Sequence, residues 1–185
     1  MPANVVMISG SLRKRSFNSA LMRSLQELAP GLAMVEAPSY ASFPLYDADL
    51  QASSGFPEDV KILADAIRAA DGVVIVTPEY NWTIPGPLKN AIDWVSRLER
   101  QPFKQKPVAI QSATVGPLGG ARMQYHLRMA LIYLDALVVG TPEVFVGNVH
   151  TKINPDTLEL TDESTRAVLA QQMAAFEGLI NRTRS

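Results

Sequence analysis

The chain has no cysteine. That removes disulfides, thiolate nucleophiles and cysteine metal ligands, and it fits a reducing compartment such as the cytoplasm. Histidine is almost as scarce: His126 and His150 stand far apart with no carboxylate cluster at ligand spacing, so no metal is expected. An excess of one charge is missing too. With 17 Lys and Arg against 18 Asp and Glu the net charge is −1, and no global field draws the chain to nucleic acid or to an acidic membrane. No run of about 18 apolar residues exists, so no membrane span is expected. The opening segment has no cationic leader and reads as a first strand, not a signal peptide. Two phosphate fingerprints are also absent. Neither G-x-x-x-x-G-K-[ST] nor G-x-G-x-x-G occurs, which excludes a triphosphate loop and the usual dinucleotide turn.

What is present is periodic and apolar. The 185 residues are 47% hydrophobic, enough for one well-filled domain spanning 1–185. Val5–Ile8, Ala33–Glu36, Val73–Val76, Val108–Ile110 and Leu137–Val139 read as five strands. The third lacks any polar alternation, as a parallel strand covered on both faces should. Helical patterns alternate with them: one running to about Leu28, one opened by Pro57, one carrying Leu88, Ala91, Ile92 and Val95, one from about Ala121 to Leu134, and one from Asp162 to Arg182. Ala37 to Gly55, with Pro38, Pro44 and a polar run, is expected to be a long surface loop. The alternation predicts an α/β doubly wound parallel sheet, most simply in the order 2-1-3-4-5 with helices on both faces.

In that order the connections after strands one, three and four open on one carboxyl edge, at the topological switch point. They are also the connections rich in Gly, Ser, Asn and Pro. The first, Ser9 to Asn18, holds Gly10, Ser11, Arg13, Lys14, Arg15, Ser16 and Asn18 between a strand and a helix. Free N–H groups and the positive helix end make such a turn an anion site, and a phosphate is the anion expected. Its other reading is an ordinary turn in which Ser16 only caps the helix. The second connection offers Tyr80 and Trp82 to bound a planar ligand, or else is a proline-set corner in which Trp82 shields the core. In the third, Gly116, Gly119 and Gly120 let backbone approach a ligand closely, or simply make a flexible turn. An anion end and a flat-ring end describe flavin mononucleotide and nucleoside monophosphates equally.

Gly10-Ser11-Leu12-Arg13 with Ser16-Phe17-Asn18, then Pro78-Glu79-Tyr80-Asn81, then Pro85-Gly86-Pro87-Leu88-Lys89-Asn90-Ala91-Ile92-Asp93-Trp94, resembles the NADPH-dependent FMN reductase family. Gly119-Gly120-Ala121-Arg122 followed by Gln124-Tyr125-His126-Leu127-Arg128 is similar to its bacterial chromate and quinone reductase branch. The resemblance implies a flavodoxin-like fold with non-covalent FMN. Ser11, Arg13, Ser16, Phe17 and Asn18 would hold the phosphate, and Pro78, Glu79, Tyr80 and Asn81 would line the ring and ribityl. The stretch from Ser112 through Gly116 and Gly119 to Gly120 would close the ring's other side. NADPH or NADH would supply hydride, and a small-molecule acceptor would take the electrons: a quinone, free flavin, chromate or an azo dye. The cofactor carries that chemistry, so no catalytic triad is expected. A cytoplasmic homodimer or homotetramer is implied as well, with Arg122 and Tyr125 of one copy meeting Glu143 of another.

A flavodoxin-type electron carrier and a nucleotide-responsive binding module without turnover remain the alternatives. Carriers of the first kind are strongly acidic, and this chain is not. Met7, Met22, Met34, Met123, Met129 and Met173 fall in apolar patterns and are expected to fill the core. His126 is expected to pack or lie at the surface, and Lys89 and Asp93 to form a solvated i,i+4 pair.

Overall fold

The structure, a computed structural model, describes residues 2–184. Strand β1 (Ala3–Ser9) leads into helix α1 (Phe17–Leu28), and β2 (Leu32–Glu36) follows. Then come α2 (Ala48–Ser54), α3 (Glu58–Ala69), β3 (Gly72–Val76), α4 (Gly86–Ser96) and β4 (Pro107–Ala113). Helix α5 (Ala121–Tyr133), the short strands β5 (Leu137–Val138) and β6 (Val144–Val146), a 3-10 turn at Val149–Thr151 and α6 (Glu163–Arg184) complete the chain.

The sheet has the order β2-β1-β3-β4-β5 with β6 also on β4, and every pairing is parallel. The expected order is therefore observed. The last expected strand, Leu137–Val139, is the short β5, which pairs with the start of β4; β6, which the sequence did not lead one to expect, pairs with its end, the chain leaving the sheet between them at Gly140 to Glu143. All residues of β3 and β4 are buried, which is why their sequences show no polar alternation. One face of the sheet packs Met7, Val74 and Ala109 against Leu21 and Leu25 of α1 and Phe176 of α6. The other packs Ile8, Ile75 and Ile110 against Leu63 of α3, Leu88 of α4 and Leu127 of α5.

The connection read as a loop contains α2. Asp47, in extended conformation, caps it by accepting from the N–H groups of Asp49 at 2.8 Å and Leu50 at 3.4 Å. No residue of α2 is buried, so the helix carries no apolar stripe and its sequence reads as polar loop. The stretch is held instead by α4: the Pro44 carbonyl accepts from Asn90 Nδ2 at 2.9 Å and from Trp94 Nε1 at 2.8 Å. Tyr46 and Phe56 meet the fully buried Trp94 ring edge-on, at 5.1 and 6.1 Å between centroids.

Gly10 fixes where β1 gives way to the first turn. Its N–H donates to the Val76 carbonyl at 2.8 Å, and a Cβ there would overlap the Thr77 side chain. At Gly116 a Cβ would meet nothing within 4 Å. Gly10→Ala is therefore expected to lower the unfolding free energy by about 1–3 kcal/mol or more, as overpacking does. Gly116→Ala should stay within about 0.5 kcal/mol of the parent. Urea denaturation checks both, and equal stabilities for the two variants would contradict the packing assigned to Gly10.

Candidate functional site

Three connections rise from the carboxyl ends of β1, β3 and β4 and enclose a cavity of about 170 Å³. The first contributes Ser11, Arg13, Ser16, Phe17 and Asn18, and the second Pro78, Glu79 and Tyr80. Ala113, Thr114 and Val115 come from the third, and Val149 from the 3-10 turn. Eight residues expected from the sequence are thus brought together.

Ser16 is the N-cap of α1: its Oγ accepts from the N–H groups of Asn18 at 3.2 Å and Ser19 at 3.5 Å. The cap and the anion site are compatible, because the Ser16 hydroxyl proton stays available. Among the described residues the backbone N–H groups of Ser16 and Phe17 also meet no acceptor. Arg13 stands over this end with one N–H spent on the Arg15 carbonyl at 3.1 Å. Arg15 turns away, its Nη2 donating to the carbonyls of Pro155 at 2.6 Å and Asp156 at 3.2 Å. The result is a donor-rich, acceptor-poor end of the cavity at a helix N-terminus, suited to a dianionic phosphate.

Asn18 lines the cavity, but its amide is occupied elsewhere. Nδ2 donates to the Ala113 carbonyl and Oδ1 accepts the Ala113 N–H, both at 2.9 Å. It therefore ties the start of α1 to the end of β4. Beneath the turn the Tyr40 hydroxyl donates to the Ser9 carbonyl at 2.6 Å. Burial, with a smaller contribution from Tyr80, pushes the Tyr40 phenol well above the usual tyrosine range, so it stays a donor.

The second connection makes a two-residue hairpin. Tyr80 and Thr83 exchange backbone hydrogen bonds at 3.1 and 3.0 Å, with Asn81 at φ 48° and Trp82 at φ 66°. Such turns need two left-handed residues. Asn81 is spent on that requirement and does not line the cavity. Trp82 neither lines it nor shields the core: it is 65% exposed, with the Arg122 guanidinium 4.2 Å from its ring centre. A tryptophan held left-handed costs on the order of 1–2 kcal/mol, which the cation–π contact offsets in part. Thr83 Oγ1 lies 2.8 Å from His126 Nδ1, so the exposed His126 ties the hairpin to α5. Glu79 does the same from inside. Its Oε2 accepts the Met123 N–H at 3.0 Å, capping a helix whose own N-cap, Gly120, has no side chain. That carboxylate is therefore engaged with the positive end of α5.

Ser112, Gly116 and Gly119 lie behind the third wall. Ser112 is fully buried, its Oγ donating to the Gly119 carbonyl at 2.5 Å and accepting from Gln124 at 2.7 Å. Gly119, at φ 61°, lies so close to the backbone of Phe145 and Val146 that no Cβ fits. Gly116 accepts from Thr114 Oγ1 at 3.1 Å. These three shape the wall, while its lining comes from Ala113, Thr114, Val115 and Val149. Ala113 to Val115 fell inside the stretch the sequence pointed to, without side-chain chemistry to mark them. Val149 enters only because β6 returns the chain to the edge, which no local signal announces.

Glu143 finds its partners within the chain. Tyr125 donates to its Oε2 at 3.2 Å, which raises the Tyr125 phenol, and Arg128 Nε lies 3.5 Å from Oε1. Arg122 is elsewhere, between Trp82 and Glu79. Met129, expected in the core, is 62% exposed. Among the described residues no group of three or more His, Asp or Glu could hold a metal. No helix there is long and apolar enough to cross a membrane.

Residues 3–151 match the family described as NADPH-dependent FMN reductase. The chain is 52% identical over 181 residues to a quinone reductase of Escherichia coli strain K12, covering 97% of this chain and 96% of that protein. It is 41% identical over 180 residues to an NAD(P)H-dependent FMN reductase of Pseudomonas aeruginosa, at 97% and 96% coverage. Among solved structures it superposes on the flavoenzyme NAD(P)H:(acceptor) oxidoreductase FerB of Paracoccus denitrificans. That match has a TM-score of 0.85 and 36% identity, and covers 97% of this chain and 98% of the other. With its cavity at the carboxyl edge of a 2-1-3-4-5 sheet, this chain belongs to the NADPH-dependent FMN reductase family.

Proposed function

We propose that the protein is an FMN-dependent NAD(P)H oxidoreductase of the cytoplasm that passes two electrons to quinones or similar small acceptors. The observation that carries this reading is the cavity's polarity: phosphate donors at the α1 end, and backbone and aromatic walls at the other. The donor set fits the cofactor. Arg13, the Ser16 hydroxyl and the Ser16 and Phe17 N–H groups take the phosphate. Pro78, Tyr80 and Ala113 to Val115 take the ring, and Glu79 and Asn18 hold the walls in register. When bound, FMN supplies the redox chemistry, accepting hydride from NAD(P)H and giving electrons to the acceptor. With three walls supplied by the protein, one open face serves both substrates in turn.

The purified protein is expected to be yellow, to bleach with NADPH under nitrogen and to regain colour with a quinone. Steady-state kinetics should give parallel double-reciprocal lines, as a ping-pong order requires. Intersecting lines would contradict the single shared face. A yellow protein that NADPH does not bleach would instead favour an electron carrier, and a protein without flavin a binding module.

Helix α5 supports a second element of this reading, a homodimer at least. Its inner face buries Met123, Gln124, Leu127 and Leu131. Its outer face exposes Tyr125, Met129, Ile132 and Tyr133, at 53, 62, 65 and 88%. Positions 125, 129, 132 and 133 share one side of a helix, and such an apolar stripe on a water-facing helix marks an association surface. A second copy is the occupant, since the Tyr125–Glu143–Arg128 group beside the stripe carries both charges and can complement itself across a two-fold axis. Light scattering at micromolar concentration should give a dimer or tetramer, and Ile132→Glu with Tyr133→Glu should give monomers that keep their flavin. A monomeric parent protein would end this assignment.

A further inference from the structure

A second cavity, of about 280 Å³, lies on the other side of the phosphate-binding turn. Its walls are the turn itself, the flank of α1 and the chain leaving β2. Ser19, Met22 and Arg23 stand on one side of α1 at i, i+3 and i+4, facing Glu36 to Tyr40 across the groove. The floor is apolar and buried, formed by Met7, Met22 and Tyr40. The rim carries Arg13, Lys14 and Arg23 against the single carboxylate Glu36.

That rim departs from the charge balance of the whole chain. The chain as a whole is balanced at −1, yet this groove holds three cations and one anion. Arg15 in the same turn has its guanidinium occupied by two carbonyls. Among the described residues, Lys14, Arg23 and Glu36 make no ion pair and no side-chain hydrogen bond. Three cations gathered around a single counter-charge repel one another, and a bound polyanion removes that repulsion. The apolar floor gives a ring a surface to lie against. In dinucleotide-binding doubly wound folds a carboxylate at the end of the second strand accepts a ribose hydroxyl, and Glu36, at that position, can accept from the 3′-hydroxyl that a 2′-phosphorylated adenosine keeps free.

We propose that this groove is a second nucleotide subsite, taking the phosphate-bearing adenosine end of the nicotinamide co-substrate. The inference rests on the FMN reading of the first cavity, since Arg13 lines both and places the two phosphates on opposite sides of one turn. Lys14 and Arg23 hold the adenosine phosphates, Glu36 the ribose, and Met7, Met22 and Tyr40 the base. Unlike Arg13, Lys14 and Arg23 do not line the flavin cavity, so they separate co-substrate recognition from flavin binding.

The probe is 2′,5′-ADP, titrated calorimetrically into the flavin-loaded protein after its FMN content has been read from absorbance. Saturable one-to-one binding is expected, weakened about tenfold in Arg23→Ala, the effect of losing one hydrogen bond between charged groups. The KM for NADPH should rise by a similar factor, while FMN content, the rate at saturating NADPH and the KM for quinone stay at the parent values. Arg23→Lys should recover part of the loss, which a merely structural role for Arg23 would not predict. Binding of 2′,5′-ADP that is equal in parent and Arg23→Ala overturns the subsite. Binding that weakens while the KM for NADPH does not move overturns the assignment to the co-substrate and gives the groove to a free adenine nucleotide. A parent protein that lacks flavin, or that does not oxidise NADPH, fails the first reading instead, and the calorimetric arm still judges the groove on its own.

Discussion

Two hydrogen bonds from one side chain hold the site together. Asn18, at the start of α1, gives and accepts one bond each with the Ala113 peptide, 95 residues away at the end of β4. The pair is buried, so losing it would leave four polar groups without water or partner, at on the order of 1–3 kcal/mol for each one orphaned. The Asn18 amide thereby sets how far the turn after β1 stands from the wall made by Ala113 to Val115. A comparable tie joins the second connection to the third, where the Glu79 carboxylate caps α5. Neither bond touches a ligand in this reading. Together they pre-form a cavity from three connections that share no sequence neighbourhood.

The sheet determines what these ties have to do. Parallel strands all end on the same edge, and at the switch point between β1 and β3 the flanking connections diverge to opposite faces and leave a crevice. Helix α1 begins there, so its unpaired N–H groups and positive end point into the crevice. Gly10 lets the turn pass tightly over Thr77, and Tyr40 pins the Ser9 carbonyl from below. The same turn has a second side, and the unpaired cations of Lys14 and Arg23 lie there. One short turn can therefore serve two anionic ligands, one on each flank, with Arg13 between them.

The sheet was legible because its central strands β3 and β4 are buried on both faces and its main helices carry apolar stripes, signals that survive in one dimension, whereas the three-residue β6 left none. Helix α2 was not, because it buries nothing: Asp47 caps it and α4 holds the chain ahead of it, and neither leaves a periodic trace. The same distinction runs through the site. Ser11, Arg13 and Ser16 were legible as donors in a strand–turn–helix context, Phe17 entered only through the family resemblance, and all four line the cavity. Ser112 and Gly119 are spent on packing the third wall, a role set by contacts with Gln124 and Phe145 that only the fold supplies. Asn81 and Trp82 were misleading for a related reason, since the hairpin needs two left-handed residues and takes them from the tip. Met129 fits an apolar pattern equally well inside or outside, and α5 carries two apolar faces, so periodicity cannot tell which one meets the core.

The central claim is that the α1 end of the cavity exists to hold a phosphate. Comparing the affinity of the apo-protein for FMN and for riboflavin, which lacks only that phosphate, tests it most directly. If Arg13, Ser16 and the free N–H groups do what is assigned to them, riboflavin should bind at least about a hundredfold more weakly, since two or more charge-assisted hydrogen bonds are lost. Equal affinity for the two would contradict the account.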